Sequence, residues 1–303
     1  MSTLLYYTET LAAGYLALTL ILYMLSLRIQ AAGFFARLLV SYVALVACAC
    51  YGVFISLFLR LVGYGGNAQW FVARAFKYVM LYSTGASFTI EDPHNYLTTT
   101  RPAVIIGNHQ TELDVLMLGS VFPPYCTVTA KSSLKRVPFL GWFMALSGTV
   151  FIDRKNSTSA RQAMEGAAEE IKRHQKIVYM FPEGTRSYAK EPMLLPFKKG
   201  AFHLALQAGV PIIPVVVANY SHVLYVQDRK FVSGSIPCKV LKPIETKHLK
   251  ASDVDDLARD TRDLMLREMV RLTAKARGEP VAMPAENPID GVVKASGAET
   301  TVS

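Results

Sequence analysis

Cysteine is scarce in this 303-residue chain, with four in all. Cys48 and Cys50 stand two apart in one apolar run, on different faces of any helix, while Cys126 and Cys238 are isolated in apolar stretches. That spacing excludes a disulfide framework and predicts four buried small apolar side chains. Histidine is also sparse, six in total, and no two lie at the three-to-five-residue spacing that zinc sites favour. No metal ligand set is therefore expected. A Gly-x-Ser-x-Gly elbow and a Gly-x4-Gly-Lys-Ser/Thr loop are both missing, which argues against an ordinary α/β-hydrolase and against nucleotide hydrolysis. The basic residues form no dense run, zinc-finger spacing or aromatic ribonucleoprotein motif, so nucleic acid is not an expected partner.

Charge is low as well, at 18% of residues, against 51% hydrophobic and a mean hydropathy of +0.27. The apolar excess sits at the N-terminus. No charged side chain occurs from Thr10 to Leu27, nor from Leu38 to Leu59, and each run approaches or exceeds what a hydrocarbon core of about 30 Å requires. Glu9 before the first run, and the lack of a small-residue cleavage site before Arg28, argue against a cleaved signal peptide. The two runs are thus expected to form a membrane-embedded helical hairpin over residues 1–62. Arg28 and Arg37 lie between them and Arg60, Arg74 and Lys77 follow, so the positive-inside rule leaves spanning and re-entrant arrangements both open. The net charge of +9 suits anionic headgroups or phosphorylated ligands.

From residue 63 the pattern changes. Gln69 to Tyr82 carries helical apolar periodicity, and from Ala103 strand-like and helix-like segments alternate. Strands are expected at Val104–Ile106, Cys126–Ala130, Thr149–Ile152, Ile177–Phe181 and Ile212–Ala218, with helices from Asp114, over Leu140–Leu146, Ser159–His174 and Lys198–Gln207. Such alternation predicts an α/β domain over 63–277 with a mostly parallel sheet flanked by helices. A late strand is expected at Lys239–Ile244, then an amphipathic helix capped by Ser252 with Asp255 three residues on. Residues 278–303, rich in Pro, Ala, Ser and Thr, read as a disordered tail.

Four blocks carry chemistry. In Asn108-His109-Gln-Thr-Glu-Leu-Asp114, His109 and Asp114 are five apart, which on a helix would set them about 140° apart. They can meet only across a turn, where a carboxylate would hold the imidazole as a general base near neutral pH. Gly148-Thr-Val-Phe-Ile-Asp153-Arg154 delivers a guanidinium at a strand end, suited to phosphate or to pairing with Asp153. In Phe181-Pro-Glu183-Gly184-Thr185-Arg186-Ser187, a tight turn, hydroxyls and a guanidinium could cradle an anion, with Glu183 binding a hydroxyl or positioning an arginine; a structural turn is the simpler alternative. Val210-Pro211-Ile212-Ile-Pro214 is an apolar strand with two prolines, expected at a sheet edge or beside the site, with plain core as the simpler alternative. Lys131 and Lys135, just past a strand, could meet phosphate or remain solvated.

In order and spacing, these blocks resemble the motifs of the glycerolipid acyltransferase family, most closely its fungal 1-acyl-sn-glycerol-3-phosphate acyltransferases. The stretches Cys126 to Gly148 and Leu195-Pro-Phe-Lys-Lys-Gly-Ala-Phe-His203 strengthen the likeness, which covers roughly residues 60–270. The resemblance implies acyl transfer from acyl-coenzyme A, as co-substrate and with no bound cofactor, to the sn-2 hydroxyl of lysophosphatidic acid. It also implies a membrane enzyme of the endoplasmic reticulum or lipid droplets. On that reading His109 is the base and Asp114 fixes its tautomer; Arg154, Glu183, Gly184, Thr185 and Arg186 hold the glycerol phosphate, with Lys131 as helper. Pro211, Ile212 and Pro214 would lie in or beside the acyl pocket. Competing readings are an acyltransferase or transacylase for another lysophospholipid or glycerol 3-phosphate, a membrane-anchored lipid hydrolase in which His109 activates water, and a non-catalytic membrane scaffold.

Overall fold

The computed structural model describes residues 2–281. Its first two helices, α1 (Ser2–Leu25) and α2 (Gln30–Leu61), are the two apolar runs, folded back on each other through a short turn. Both are long and apolar enough to cross a membrane. Leu11 and Met24 of α1 are 73% and 70% exposed. In α2 one face is open, with Phe54 and Leu61 bare, whereas Phe34, Ala44 and Cys48 are buried in the same cluster as the α/β domain behind them. The second helix is therefore both part of the apolar surface and part of the fold.

The chain continues with α3 (Ala68–Thr84), β1 (Ala86–Glu91), α4 (Tyr96–Thr99), β2 (Ala103–Gly107), α5 (Asp114–Val121) and β3 (Cys126–Lys131). Next come α6 (Leu140–Leu146), β4 (Val150–Ile152), α7 (Ser157–His174), β5 (Ile177–Met180), α8 (Gly200–Ala208) and β6 (Ile212–Val217). A two-stranded ribbon, β7 (Leu224–Tyr225) and β8 (Lys230–Phe231), precedes β9 (Gly234–Val240) and the long α9 (Val254–Arg277). The main sheet has seven strands in the order β1-β9-β6-β2-β5-β3-β4, parallel at every pairing except β6 with β9.

Side chains alternate across this sheet, as the pleat requires. Ile105 of β2 and Ile213 and Val215 of β6 pack with Phe76 of α3 and Leu116 and Met117 of α5. Val104, Ile106, Ile212 and Val216 face the other way, against Ala167 and Ile171 of α7, Phe202 and Leu204 of α8 and Met265 of α9. These strands are apolar on both faces because both are covered. The result is three layers, with the amino-terminal hairpin stacked beyond α3.

Several expectations need correction. The strand β6 is not at an edge: β2 and β9 flank it. Pro214 is tolerated there because the β6–β9 register slips by one residue, from Val215↔Val240 to an isolated bridge at Ile212↔Ile244. The bulge lies opposite Pro214, whose carbonyl accepts from Leu241 N–H while its missing donor is not required. The last strand of the sheet begins at Gly234, five residues before the expected Lys239, and β1 was not anticipated although Ala86, Phe88 and Ile90 alternate. Ser252 does not cap the final helix; its hydroxyl bonds the Asp253 carboxylate, which also accepts from Lys250 N–H at 2.8 Å. The expected tail falls largely on residues 282–303, outside the described residues; Gly278, in the left-handed region, ends α9.

Close helix packing near the site depends on Gly119 of α5. A Cβ there would overlap the Ala73 carbonyl oxygen of α3 and sit 2.7 Å from Lys77 Cβ. Gly119→Ala is expected to force α3 and α5 apart and to destabilise the protein by about 1–3 kcal/mol. Thermal melting in detergent checks this, and an unchanged midpoint would mean that the two helices have slack.

Candidate active site

Parallel strands bring their carboxyl ends to one rim, and the chemistry-bearing residues follow directly from them. His109 follows β2, Lys131 ends β3, Arg154 follows β4, and Glu183 to Arg186 follow β5. Asn108 prolongs the ladder between β2 and β6: its side-chain amide donates to Val217 O at 3.0 Å and accepts from Val217 N at 2.8 Å. The turn that starts at His109 thus leaves the sheet from a fixed point.

Within that turn, His109 Nδ1 lies 2.8 Å from Asp114 Oδ2. The same oxygen accepts the backbone N–H groups of Gln110 at 2.6 Å and Thr111 at 3.1 Å. Tyr220 donates its hydroxyl to the other oxygen, Oδ1, at 2.7 Å. Asp114 is wholly buried, so four donors replace its water shell. The His109 ring stacks on Phe181 with centroids 4.0 Å apart and planes 18° from parallel. With Nδ1 tied to the carboxylate, Nε2 is the ring nitrogen left for chemistry, and His109 lines a cavity of about 1080 Å³.

Apolar residues of the amino-terminal hairpin and α3, among them Phe34, Leu38, Leu45 and Phe76, build the wall of that cavity, and Phe143 of α6 joins them. Lys131, Arg154, Thr185 and Arg186 also line it, so three cations share the cavity with His109. Arg186 Nη1 donates to Glu112 Oε1 at 3.0 Å, and Tyr188 donates to the same oxygen at 2.6 Å. The Nε of Arg186 is buried with no partner among the described residues. Arg154 donates to the carbonyl of Gly184, not to Asp153, whose carboxylate instead accepts from Lys155 N–H. Gly184 sits at φ +68°, a left-handed conformation that turns its carbonyl to that guanidinium. Burial lowers the Arg154 pKa without threatening its charge.

The structure gives Glu183 a different place from the expected one. At 2% exposure it is absent from the cavity wall, and its two oxygens accept His109 N–H at 2.6 Å and Leu195 N–H at 2.8 Å. Glu183 therefore pins the backbone of the His109 turn to the loop before α8, away from the cavity. Pro211, Ile212 and Pro214 likewise lie outside the cavity lining, near the amino end of β6, with Ile212 in the core against α7 and α8. Tyr220 and the hairpin residues on the cavity wall escaped the sequence reading. Tyr220 follows the carboxyl end of β6, so the rule that marks His109 would have found it. Among the described residues, no three His, Cys, Asp or Glu side chains gather as a metal-ligand set.

This geometry can be set beside known proteins. Residues 88–218 match the family model described as Acyltransferase. Over 233 residues, 77% of this chain and 76% of its relative, the sequence is 44% identical to the 1-acyl-sn-glycerol-3-phosphate acyltransferase of Saccharomyces cerevisiae. The chain belongs to the acyltransferase family. It is 38% identical over 253 residues to the human 1-acyl-sn-glycerol-3-phosphate acyltransferase beta, covering 81% of this chain and 85% of that one. The fold matches the crystal structure of the acyltransferase PlsC from Thermotoga maritima, with a TM-score of 0.63 at 22% identity over 87% of this chain and 98% of that one. This acyltransferase accordingly shares the mostly parallel sheet and flanking helices of its family.

Burial pushes the Glu183 carboxyl up from 4.5 to about 7, against the opposing pull of its two backbone donors. A carboxyl whose folded pKa exceeds its unfolded one contributes stability that is full below about pH 4.5 and is lost as pH rises through 7. Melting temperature in detergent is expected to fall between pH 5 and 8 by the equivalent of about 3 kcal/mol. Glu183→Gln should flatten that part of the slope; an unaltered slope would assign it to another group.

Proposed function

We propose that this enzyme transfers a fatty acyl group from acyl-coenzyme A to the sn-2 hydroxyl of 1-acyl-sn-glycerol 3-phosphate, giving phosphatidic acid. The observation that carries the reading is the His109–Asp114 pair, with Asp114 buried behind a His109 that lines an apolar cavity also presenting Lys131, Arg154 and Arg186. An apolar space suits acyl chains, and the cations suit a phosphate. The activity for which relatives up to 44% identical are named supports the acceptor.

In this mechanism Nε2 of His109 takes the proton of the sn-2 hydroxyl as its oxygen attacks the thioester carbonyl. Asp114 keeps the Nδ1 proton in place and stabilises the imidazolium that forms. The tetrahedral intermediate collapses with cleavage of the carbon–sulfur bond, and the imidazolium returns the proton to the coenzyme A thiolate. Because a thioester is already activated, no acyl-enzyme is required. Arg186 and Arg154 hold the phosphate, with Lys131 and Thr185 on the same cavity wall. The role proposed for Gly184 is to shape the turn that aims Arg154. The hairpin of residues 1–62 is proposed as the anchor of a catalytic domain over 63–277, working at the endoplasmic reticulum or lipid-droplet surface. Its apolar helices support a membrane setting.

Purified enzyme given labelled acyl-coenzyme A and lysophosphatidic acid should form phosphatidic acid with sequential kinetics. Free fatty acid in place of phosphatidic acid would instead support a hydrolase, and ping-pong behaviour would require a covalent nucleophile. His109→Ala should lower kcat about a thousandfold with the melting curve preserved. Arg186→Ala should raise KM for the phosphorylated acceptor about tenfold and leave KM for acyl-coenzyme A nearly constant. The converse pattern would move the phosphate site elsewhere.

A further inference from the structure

Asp114 meets the catalytic histidine through one oxygen only. The second, Oδ1, has a single side-chain partner, the hydroxyl of Tyr220, at 2.7 Å. The Tyr220 oxygen is in turn saturated: it accepts Thr111 N–H at 3.0 Å and lies 2.9 Å from Thr111 Oγ1. An ionised carboxylate can only accept, so the phenolic proton lies on the Asp114 contact and Thr111 Oγ1 is left to donate to the phenol. The ring is 1% exposed and meets Phe88 of β1 edge-on, with centroids 6.0 Å apart. Burial drives its pKa well upward, so the proton stays on the oxygen across the working range.

The segment bearing Tyr220 is itself tied to the catalytic turn. Asn108 exchanges two hydrogen bonds with Val217, and Gln110 Nε2 donates to Ala218 O at 3.0 Å. Positions 108, 110, 111 and 114 of the turn are thereby matched by position 217 at the end of β6 and positions 218 and 220 beyond it. We propose that Tyr220 is a positioning residue for acyl transfer, its hydroxyl holding Oδ1 of Asp114 so that Oδ2 stays on the imidazole. It does not touch the reacting atoms. The inference rests on His109 as the base.

Two consequences follow from the charge on Asp114. A donor on Oδ1 disperses negative charge that would otherwise stabilise the imidazolium, so its removal should make His109 more basic. It also removes one of the four donors that hold the carboxylate, which loosens Oδ2 against Nδ1 and weakens proton transfer without altering substrate contacts. The other titratable groups near the pair stay in place in such a variant. They are Glu112, Arg186 and Tyr188 beside the turn, Glu183 on His109 N–H, Tyr179 of β5, Arg154 after β4 and Lys131 at the end of β3.

The test is steady-state kinetics of the full-length enzyme in detergent micelles, with acyl-coenzyme A and lysophosphatidic acid, across pH 5 to 9. Tyr220→Phe should lower kcat about tenfold with both KM values within about twofold, and should move the acid limb of kcat upward by about half a pH unit or more. Site-specific replacement of Tyr220 by 3-fluorotyrosine keeps the shape and strengthens the donor, so its acid limb should move the other way; this variant carries the test should Tyr220→Phe fail to fold. In an Asp114→Asn background, Tyr220→Phe should add little further loss. Opposite shifts with a non-additive cycle support the assignment. Unmoved acid limbs in both variants, or losses that simply add, would overturn it. Full activity in His109→Ala would instead refute the base on which it stands, whatever Tyr220 shows.

Discussion

One carboxylate, cut off from water, organises the centre of this protein. Asp114 is wholly buried at the start of α5, where an unpaired charge would cost several kcal/mol. Its oxygens are met instead by an imidazole nitrogen, two backbone N–H groups and a phenol. Each hydrogen bond to a charged group is worth about 1.5–3 kcal/mol, and leaving one unmade costs at least as much. The turn from His109 to Asp114 must therefore close around the carboxylate in one way. That closure fixes the orientation of a histidine ring at the end of a strand.

The frame around the turn is built from the same logic of satisfied backbone groups. Asn108 imitates a strand residue to carry the β2–β6 ladder one step further, and Glu183 binds the N–H of His109 from the opposite side. The loop that carries Glu183 is held in turn by Arg262 of α9, which donates to the carbonyls of Leu194 and Leu195. A helix far from the cavity in sequence thus secures the catalytic histidine through two steps. The sheet fixes where the site is, and these side chains fix its geometry to within hydrogen-bond tolerance.

Membrane and catalytic elements are not separate parts. Phe34, Leu38 and Leu45 of α2 line the cavity, while the opposite face of the same helix is bare and apolar. The α2 helix packs on α6 closely enough that Gly52 cannot carry a side chain without meeting the Phe143 ring. One helix therefore presents apolar side chains both to the cavity that His109 lines and to the protein's outer surface.

Much of this was legible in the chain alone. Uncharged runs long enough for a bilayer, the alternation of strand and helix periods, and the placing of His109, Arg154 and the 183–186 turn at strand ends follow from local patterns. So does membership in an acyltransferase-like family, which rests on short ordered motifs. What stayed hidden depends on distant segments. Glu183 looked like a substrate ligand because its role, two bonds to backbone N–H groups 74 and 12 residues away, has no local signature. Pro214 looked like an edge residue because the bulge that accommodates it is supplied by the chain after β9. Tyr220 meets Asp114 across 106 residues of sequence. Local periodicity set the elements, since each depends on neighbours a few residues away; tertiary contact alone decided which polar groups were spent on the fold and which remained for chemistry.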